Sequence, residues 1–140
     1  MIQVIRNINA KHWIFIFIAF LLVVSSSVSA QTIDRTTGKT LSQNKFNRQL
    51  NKKNTLLLNV RADTEFKAGH IPGAIQADVL KLENFKNQIA DLDKNKTYLL
   101  YCKSGKRSSK AKFLMKEMGF KKLKDLKEGY SQWKGKKEVK

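Results

Sequence analysis

After the first thirty residues of this 140-residue chain, two short apolar runs stand out in an otherwise polar sequence. Residues 55–60 and 97–101 are almost continuously apolar and of strand length, which is typical of parallel strands buried on both faces. Weaker patterns surround them, with strands predicted at 39–41, 74–77 and 120–126 and helices at 42–52, 82–92 and 111–118. Strands that alternate with helices predict a single, mostly parallel α/β sheet.

Three local features sharpen this pattern. The third helix has an apolar face of Ala111, Leu114, Met115 and Met118, which leaves Lys110, Lys112, Lys116 and Glu117 on its outer face. Pro-Gly at 72–73 predicts a type II turn. Residues 129–133 predict the start of a closing helix.

The first thirty residues have a different pattern, which predicts a signal peptide. Arg6 and Lys11 precede an apolar run at 13–24, and small residues before position 31 mark a cleavage site after Ala30. An uncleaved anchor is the alternative, but the run is shorter than the roughly twenty residues that span a bilayer. We therefore expect an exported protein, periplasmic or secreted, without a stable membrane span. Its parts are a signal peptide (1–30), a polar leader (31–38), one domain (39–134) and a basic tail (135–140).

The chain is strongly basic, with 28 Lys and Arg against 11 Asp and Glu and a formal net charge of +17. One interpretation of this charge is a Lys-rich face that only keeps the protein soluble. The other is a functional face that steers anions to the protein or attracts it to an acidic partner or a membrane surface. Nucleic acid is not expected outside the cytoplasm, and no base-stacking motif is visible. The one cysteine cannot form an internal disulfide, so an exported chain holds it as a reactive thiol or pairs it between molecules.

That cysteine, Cys102, directly follows the second apolar strand and precedes a helix. Ligands of parallel sheets bind beyond the carboxyl ends of strands, and a helix start offers free N–H groups and positive potential. Lys103, Lys106 and Arg107 add positive charge, and Gly105 permits a tight turn. This setting favours a thiolate, so we prefer a chemical role for Cys102 over a buried core role.

The motifs, taken in order, resemble a single rhodanese-like domain of the sulfurtransferase superfamily. Residues 63–74 end in Gly-His-Ile-Pro-Gly-Ala, as does the family's first signature, and residues 101–108 resemble its active loop. Residues 120–126 and 129–133 resemble its closing strand and aromatic helix. The resemblance implies a central, mostly parallel five-stranded sheet with helices on both faces.

Two positions depart from the family pattern. The first buried strand usually ends in Asp-Val-Arg, whereas here Asn59 takes the place of the Asp and Arg61 is retained as a supporting residue. Glu128 replaces the first residue of a Gly-Gly pair before the last helix. The loop that contains Cys102 is complete.

By resemblance, Cys102 is the catalytic nucleophile of a thiosulfate sulfurtransferase. It would take a sulfane sulfur from a small anionic donor such as thiosulfate, hold it as a persulfide and pass it to a thiol or cyanide. Arg107 or Lys106 would bind the oxyanion of the donor. The resemblance implies neither a metal nor an organic cofactor. The substrate-binding residues would be Lys103, Ser104, Gly105, Lys106, Arg107 and Ser108.

Other polar and aromatic residues receive structural interpretations. His70 is expected to fix a loop, with a role as general base as the alternative. Asp63 and Glu65 are expected to be solvated acids at a helix start. Tyr130 and Trp133 are expected in the core.

Two other functions compete with sulfur transfer. Phosphatases on a related loop have five residues between Cys and Arg, whereas only residues 103–106 separate Cys102 from Arg107, so a phosphatase is disfavoured. A non-catalytic binding module or sulfur carrier is the second alternative, and only turnover separates it from an enzyme.

Overall fold

The computed structural model describes residues 38–140, so the predicted signal peptide and residues 31–37 of the leader lie outside it. None of the helices within 38–140 is long and apolar enough to cross a membrane.

The centre of the fold is a five-stranded sheet in which every neighbouring pair is parallel. The spatial order is β1-β5-β4-β2-β3, so the two apolar runs of the sequence form the adjacent strands β4 and β2. This arrangement confirms the predicted sheet. The strands are β1 (Lys39–Leu41), β2 (Thr55–Asn59), β3 (Ile75–Gln76), β4 (Thr97–Tyr101) and β5 (Lys122–Leu126).

Helices cover both faces of this sheet, as predicted. They are α1 (Gln43–Leu50), α2 (Asp63–Lys67), α3 (Leu82–Ala90) and α4 (Lys106–Glu117). Side chains of α3 and α4 pack on one face, and α1 packs on the other. The predicted closing helix was wrong, because only a single 3₁₀ turn forms at Tyr130–Gln132. Gly129 enters it at a φ of 66° and Trp133 leaves it extended with a buried side chain.

Alternation along β4 divides its side chains between two apolar cores. Tyr98, Leu100 and Cys102 join the core under α3 and α4. Leu99 and Tyr101 join the core under α1. This period of two is the expected consequence of strand geometry, and it directs Cys102 to the face that α4 covers.

Lys112 lies inside the protein, so the prediction of an outward position was wrong. It is 3% exposed, and its Nζ lies 2.8 Å from Oδ1 of the buried Asp125 in β5. The hydroxyls of Thr40 and Ser109 also donate to Asp125, and Ser108 Oγ lies 3.3 Å from its Oδ2. A buried carboxylate needs such partners, and this need outweighs the preference of lysine for solvent.

Candidate active site

Cys102 begins a short loop between β4 and α4 at the carboxyl edge of the sheet. Only 1% of the residue is exposed. The backbone N–H of Gly105 donates to Sγ at 3.1 Å. The loop thus bends back over the sulfur and presents at least one amide donor to it.

The start of α4 adds further donors after the loop. Gly105 is the N-cap residue with a φ of 96°, a conformation that glycine adopts without strain. The first backbone hydrogen bond of the helix runs from Ser109 N–H to Gly105 O at 3.1 Å. The N–H groups of the three residues between them precede that bond and have no intrahelical acceptor. These donors, with the helix dipole, favour negative charge next to Cys102.

The 3₁₀ turn at Tyr130–Gln132 holds the other side of the loop. Tyr130 N–H donates to Cys102 O at 2.7 Å. Ser131 donates to Lys103 O twice, from its N–H at 3.0 Å and from Oγ at 2.9 Å. A Cβ on Gly129 would lie 2.4 Å from the same carbonyl oxygen, so this close approach requires glycine. The carbonyls at the start of the loop are therefore fixed toward this turn.

Arg107 forms a two-pronged ion pair with Glu65 of α2. Its guanidinium donates from Nη1 to Oε2 at 2.6 Å and from Nη2 to Oε1 at 2.8 Å. The hydrogen bonds from Arg107 lower the pKa of Glu65, while partial burial opposes this and the N–H of Ala62 assists it. The same contacts raise the pKa of Arg107, against the effect of burial, with smaller contributions from the charges of Cys102 and Asp78. Arg107 is therefore held by Glu65 in the first turn of α4, five residues after Cys102.

The interpretation of Glu65 as a solvated acid was therefore wrong. Its side chain is 30% exposed and is held by Arg107. Asp63 fits the expectation better, since its side chain is 52% exposed and pairs with Lys67 one turn along the helix. Sequence spacing gave no signal for Glu65, because its partner lies 42 residues away.

Asn59, at the position of the usual Asp, uses both ends of its side-chain amide in hydrogen bonds. Its Oδ1 accepts from Arg61 N–H at 2.9 Å and from Arg61 Nε at 3.2 Å. Its Nδ2 donates to the hydroxyl of Tyr101 at 2.9 Å. Arg61 also donates to Gly69 O at 2.5 Å and stacks on Tyr130, with Cζ 4.1 Å from the ring centroid. The buried Arg61 thus supports the turn that holds the Cys102 loop.

The hydroxyl of Tyr101 links Asn59 to Ile71, which lies in the signature at residues 63–74. Its hydroxyl accepts from Ile71 N–H at 3.0 Å in addition to the bond from Asn59. Burial raises the pKa of Tyr101 to about 12, despite the hydrogen bonds that oppose the rise. The phenol is therefore neutral at physiological pH and acts as a structural connector.

His70 is held at both ring nitrogens. Nδ1 lies 3.0 Å from Phe66 O, and Nε2 lies 2.9 Å from Oε1 of Glu138. The ring stacks on Phe66 with centroids 3.8 Å apart. His70 and Glu138 also exchange backbone hydrogen bonds, which joins the predicted basic tail to the domain. These contacts hold the ring within the domain and occupy both nitrogens that a base would use.

The remaining predicted binding residues divide by exposure. Lys103, Ser104 and Lys106 are exposed at the loop. Ser108 is buried, and its hydroxyl donates to Gly105 O at 2.9 Å, so only its backbone N–H remains for a ligand. Residues 38–140 contain no cluster of three or more His, Cys, Asp or Glu side chains placed to hold a metal ion.

The fold and the site together define a class: a parallel α/β domain whose single cysteine lies in a loop leading into a helix N-terminus. Residues 42–136 match the model of the rhodanese-like domain. The chain therefore belongs to the rhodanese-like domain family.

Several curated proteins are similar in sequence. The protein YqhL of Bacillus subtilis is 33% identical over 124 residues, which are 88% of this chain and 91% of YqhL. YrkF of the same organism, named as a candidate sulfur carrier protein, is 35% identical over 82 residues, which are 59% of this chain and 43% of YrkF. A tRNA uridine(34) hydroxylase of Pelagibacter ubique is 32% identical over 85 residues, 61% of this chain and 28% of that enzyme. The chain thus spans less than half of the last two relatives.

Solved structures give the same fold. A rhodanese-like domain from Anabaena has a TM-score of 0.64 at 22% identity, covering 72% of this chain and 79% of that one. A rhodanese-like domain protein from Staphylococcus aureus has a TM-score of 0.63 at 23% identity, covering 73% and 98%.

Proposed function

We propose that this protein is a sulfurtransferase that moves a sulfane sulfur from a donor such as thiosulfate to a thiol or cyanide through a persulfide on Cys102. The observation that carries the proposal is the amide of Gly105 directed at Sγ, followed by the unpaired N–H groups of the first turn of α4. Amide donors and helix potential stabilise a thiolate and the persulfide anion that replaces it.

The transfer has two displacement steps. The Cys102 thiolate attacks the outer sulfur of thiosulfate, the S–S bond of the donor breaks, and sulfite leaves with the electron pair. A cyanide or thiolate acceptor then attacks the outer sulfur of the persulfide and forms thiocyanate or a new persulfide. The S–S bond to Cys102 breaks, and its thiolate is restored.

A mass measurement tests the first step. Reduced protein is incubated with thiosulfate and digested without reductant, and the peptide that contains Cys102 is weighed. We expect a gain of one sulfur atom, which cyanide removes. A protein that gains no sulfur from thiosulfate or from a small persulfide would contradict the proposal.

A sulfur carrier without turnover is the second candidate. The similarity to YrkF and the near-complete burial of Cys102 favour it, because a partner protein would then have to open the loop. Steady-state thiocyanate formation separates the two: an enzyme turns over many times, whereas a carrier releases at most one sulfur per chain.

Export belongs to the proposal as well. Residues 1–30 have the charge and hydropathy pattern of a cleaved signal peptide. N-terminal sequencing of the protein from its native host should begin at Gln31, in a periplasmic or secreted fraction. The basic surface is proposed to steer anionic donors or an acidic protein partner toward the loop, an effect that added salt should weaken.

A further inference from the structure

We propose that Glu65 is a specificity-determining residue that disfavours doubly charged oxyanion donors by holding Arg107. This inference rests on the proposed function and concerns which sulfur donor the site prefers. A persulfide of an uncharged thiol carries at most one negative charge, whereas thiosulfate carries two. We expect the site to favour the persulfide over thiosulfate as long as Glu65 is ionised and paired.

The geometry of the pair carries the inference. Both outer nitrogens of Arg107 donate to Glu65, at 2.6 and 2.8 Å, so the carboxylate occupies one N–H of each outer nitrogen and neutralises the charge of the guanidinium. The side chains are only 22% and 30% exposed, so solvent screens the pair less than it screens a surface pair. An oxyanion that binds the two outer nitrogens must therefore displace the carboxylate, and one that binds the Nε edge meets a cation whose charge Glu65 already neutralises.

A second set of contacts keeps the carboxylate in place. Oε2 of Glu65 also accepts from the backbone N–H of Ala62, which ties the side chain back to the start of its own helix. Glu65 is thus fixed by groups on two segments of the chain. Glu65 therefore neutralises the cation at the start of α4. Lys103 and Lys106 are exposed at the loop.

A matched pair of variants isolates the effect. Glu65→Gln keeps the shape and the acceptor oxygen but removes the charge, and it should free Arg107 for an oxyanion. Asp63→Asn removes one negative charge from the same helix at a residue that pairs with Lys67, away from Arg107. We expect Glu65→Gln to raise the ratio of kcat/KM for thiosulfate to kcat/KM for the persulfide of 2-mercaptoethanol about tenfold, the scale of one partly screened charge pair. Asp63→Asn should leave the ratio within about twofold.

The gain should depend on Arg107. In the double variant Glu65→Gln/Arg107→Ala, the ratio should fall back to or below that of the wild type, because no guanidinium remains to bind the oxyanion. Equal losses for both donors in Glu65→Gln would mean that Glu65 only maintains the shape of the loop, and this result would overturn the inference.

An alkylation assay tests the same charge effect without sulfur transfer. Iodoacetate and iodoacetamide both alkylate a cysteine thiolate with loss of iodide, but only iodoacetate is an anion. Glu65→Gln should raise the ratio of their rate constants at Cys102, and Asp63→Asn should not. If neither sulfur donor reacts but the alkylation ratio rises, the proposed function fails while the electrostatic role of Glu65 stands. An unchanged alkylation ratio in Glu65→Gln overturns that role.

Discussion

The side-chain amide of Asn59 donates to the buried hydroxyl of Tyr101 at 2.9 Å, and this bond joins the end of β2 to the end of β4. The bonds that Oδ1 accepts from Arg61 fix the orientation of the amide, so Nδ2 must face the phenol. An Asp at this position could still accept from Arg61, and it could accept from the Tyr101 hydroxyl instead of donating to it.

We therefore predict that Asn59→Asp keeps the fold and the sulfur-transfer activity. Asn59→Leu should destabilise the protein by about 2–4 kcal/mol, because it leaves the buried Arg61 without side-chain acceptors. Urea unfolding of both variants measures this difference. A loss of stability in Asn59→Asp as large as that in Asn59→Leu would contradict the prediction.

The second prediction concerns the nucleophile. Cys102→Ser should abolish sulfur uptake and thiocyanate formation, since a hydroxyl is a far weaker nucleophile than a thiolate. The fold should change little, because the hydroxyl can accept the hydrogen bond from Gly105 in place of sulfur. Circular dichroism and steady-state assays together check this. Turnover retained by the Ser variant would remove Cys102 from the mechanism.

The third prediction concerns the contact between Gly129 and the loop. Gly129→Ala combines a positive φ of 66° with a Cβ that would lie 2.4 Å from Lys103 O. Gly73→Ala is the control for positive φ alone, because its φ is 76° and nothing lies within 4 Å of the new Cβ, whereas Gly129 also has a ψ of −172°, which adds backbone strain of its own. The control should lose about 1–2 kcal/mol of stability from backbone strain alone and keep its activity.

Gly129→Ala should lose more stability than the control and most of its sulfur-transfer rate, since Lys103 must move. The measurements are thermal unfolding and kcat/KM for both variants. The sulfur-transfer rate decides the matter: a Gly129→Ala variant that keeps the kcat/KM of the control would show that the close approach does not position the loop.

The sequence predicted the elements of this fold well where the pattern was local. The continuous apolar runs gave β2 and β4, and the Pro-Gly turn appears with Gly73 at positive φ and Ala74 N–H bonded to Ile71 O. Cys102 was also correctly placed at the junction of strand and helix.

Contacts between distant segments could not be predicted in the same way. The helical pattern predicts that Lys112 lies on the surface, but in the fold it pairs with Asp125 of β5. Glu65 is likewise predicted to be solvated, but in the fold it pairs with Arg107 of α4. Local periodicity reports which face of a helix is apolar, but it does not report a buried charge that is neutralised from another element.

The buried pair of Lys112 and Asp125 gives the fourth prediction. Asp125→Leu should destabilise the protein by about 3–5 kcal/mol, because it leaves a buried ammonium whose remaining neighbour is the hydroxyl of Thr40. Adding Lys112→Met should recover a large part of that loss, since the double variant buries no charge. A double-mutant cycle by urea unfolding measures the coupling. Additive losses would mean that the two side chains do not stabilise each other.

The final prediction follows from the lowered pKa of Glu65. Its ordinary value is 4.5, and the hydrogen bonds from Arg107 lower it in the folded protein. The unfolded chain therefore binds this proton at a higher pH than the folded one, so the stabilisation from the pair is complete above about pH 5 and declines as the pH falls through the folded-state pKa.

The free energy of unfolding of wild type should exceed that of Glu65→Gln by about 1 kcal/mol at pH 7, a value suited to a partly exposed pair. The difference should shrink steadily toward about pH 2.5 in urea-unfolding experiments. Asp63→Asn is the control, because Asp63 pairs only with the exposed Lys67 one helical turn away. Its difference from wild type should be smaller at pH 7, since solvent screens an exposed pair more strongly. A gap between wild type and Glu65→Gln that widens in acid would show that the carboxylate is not stabilised by Arg107.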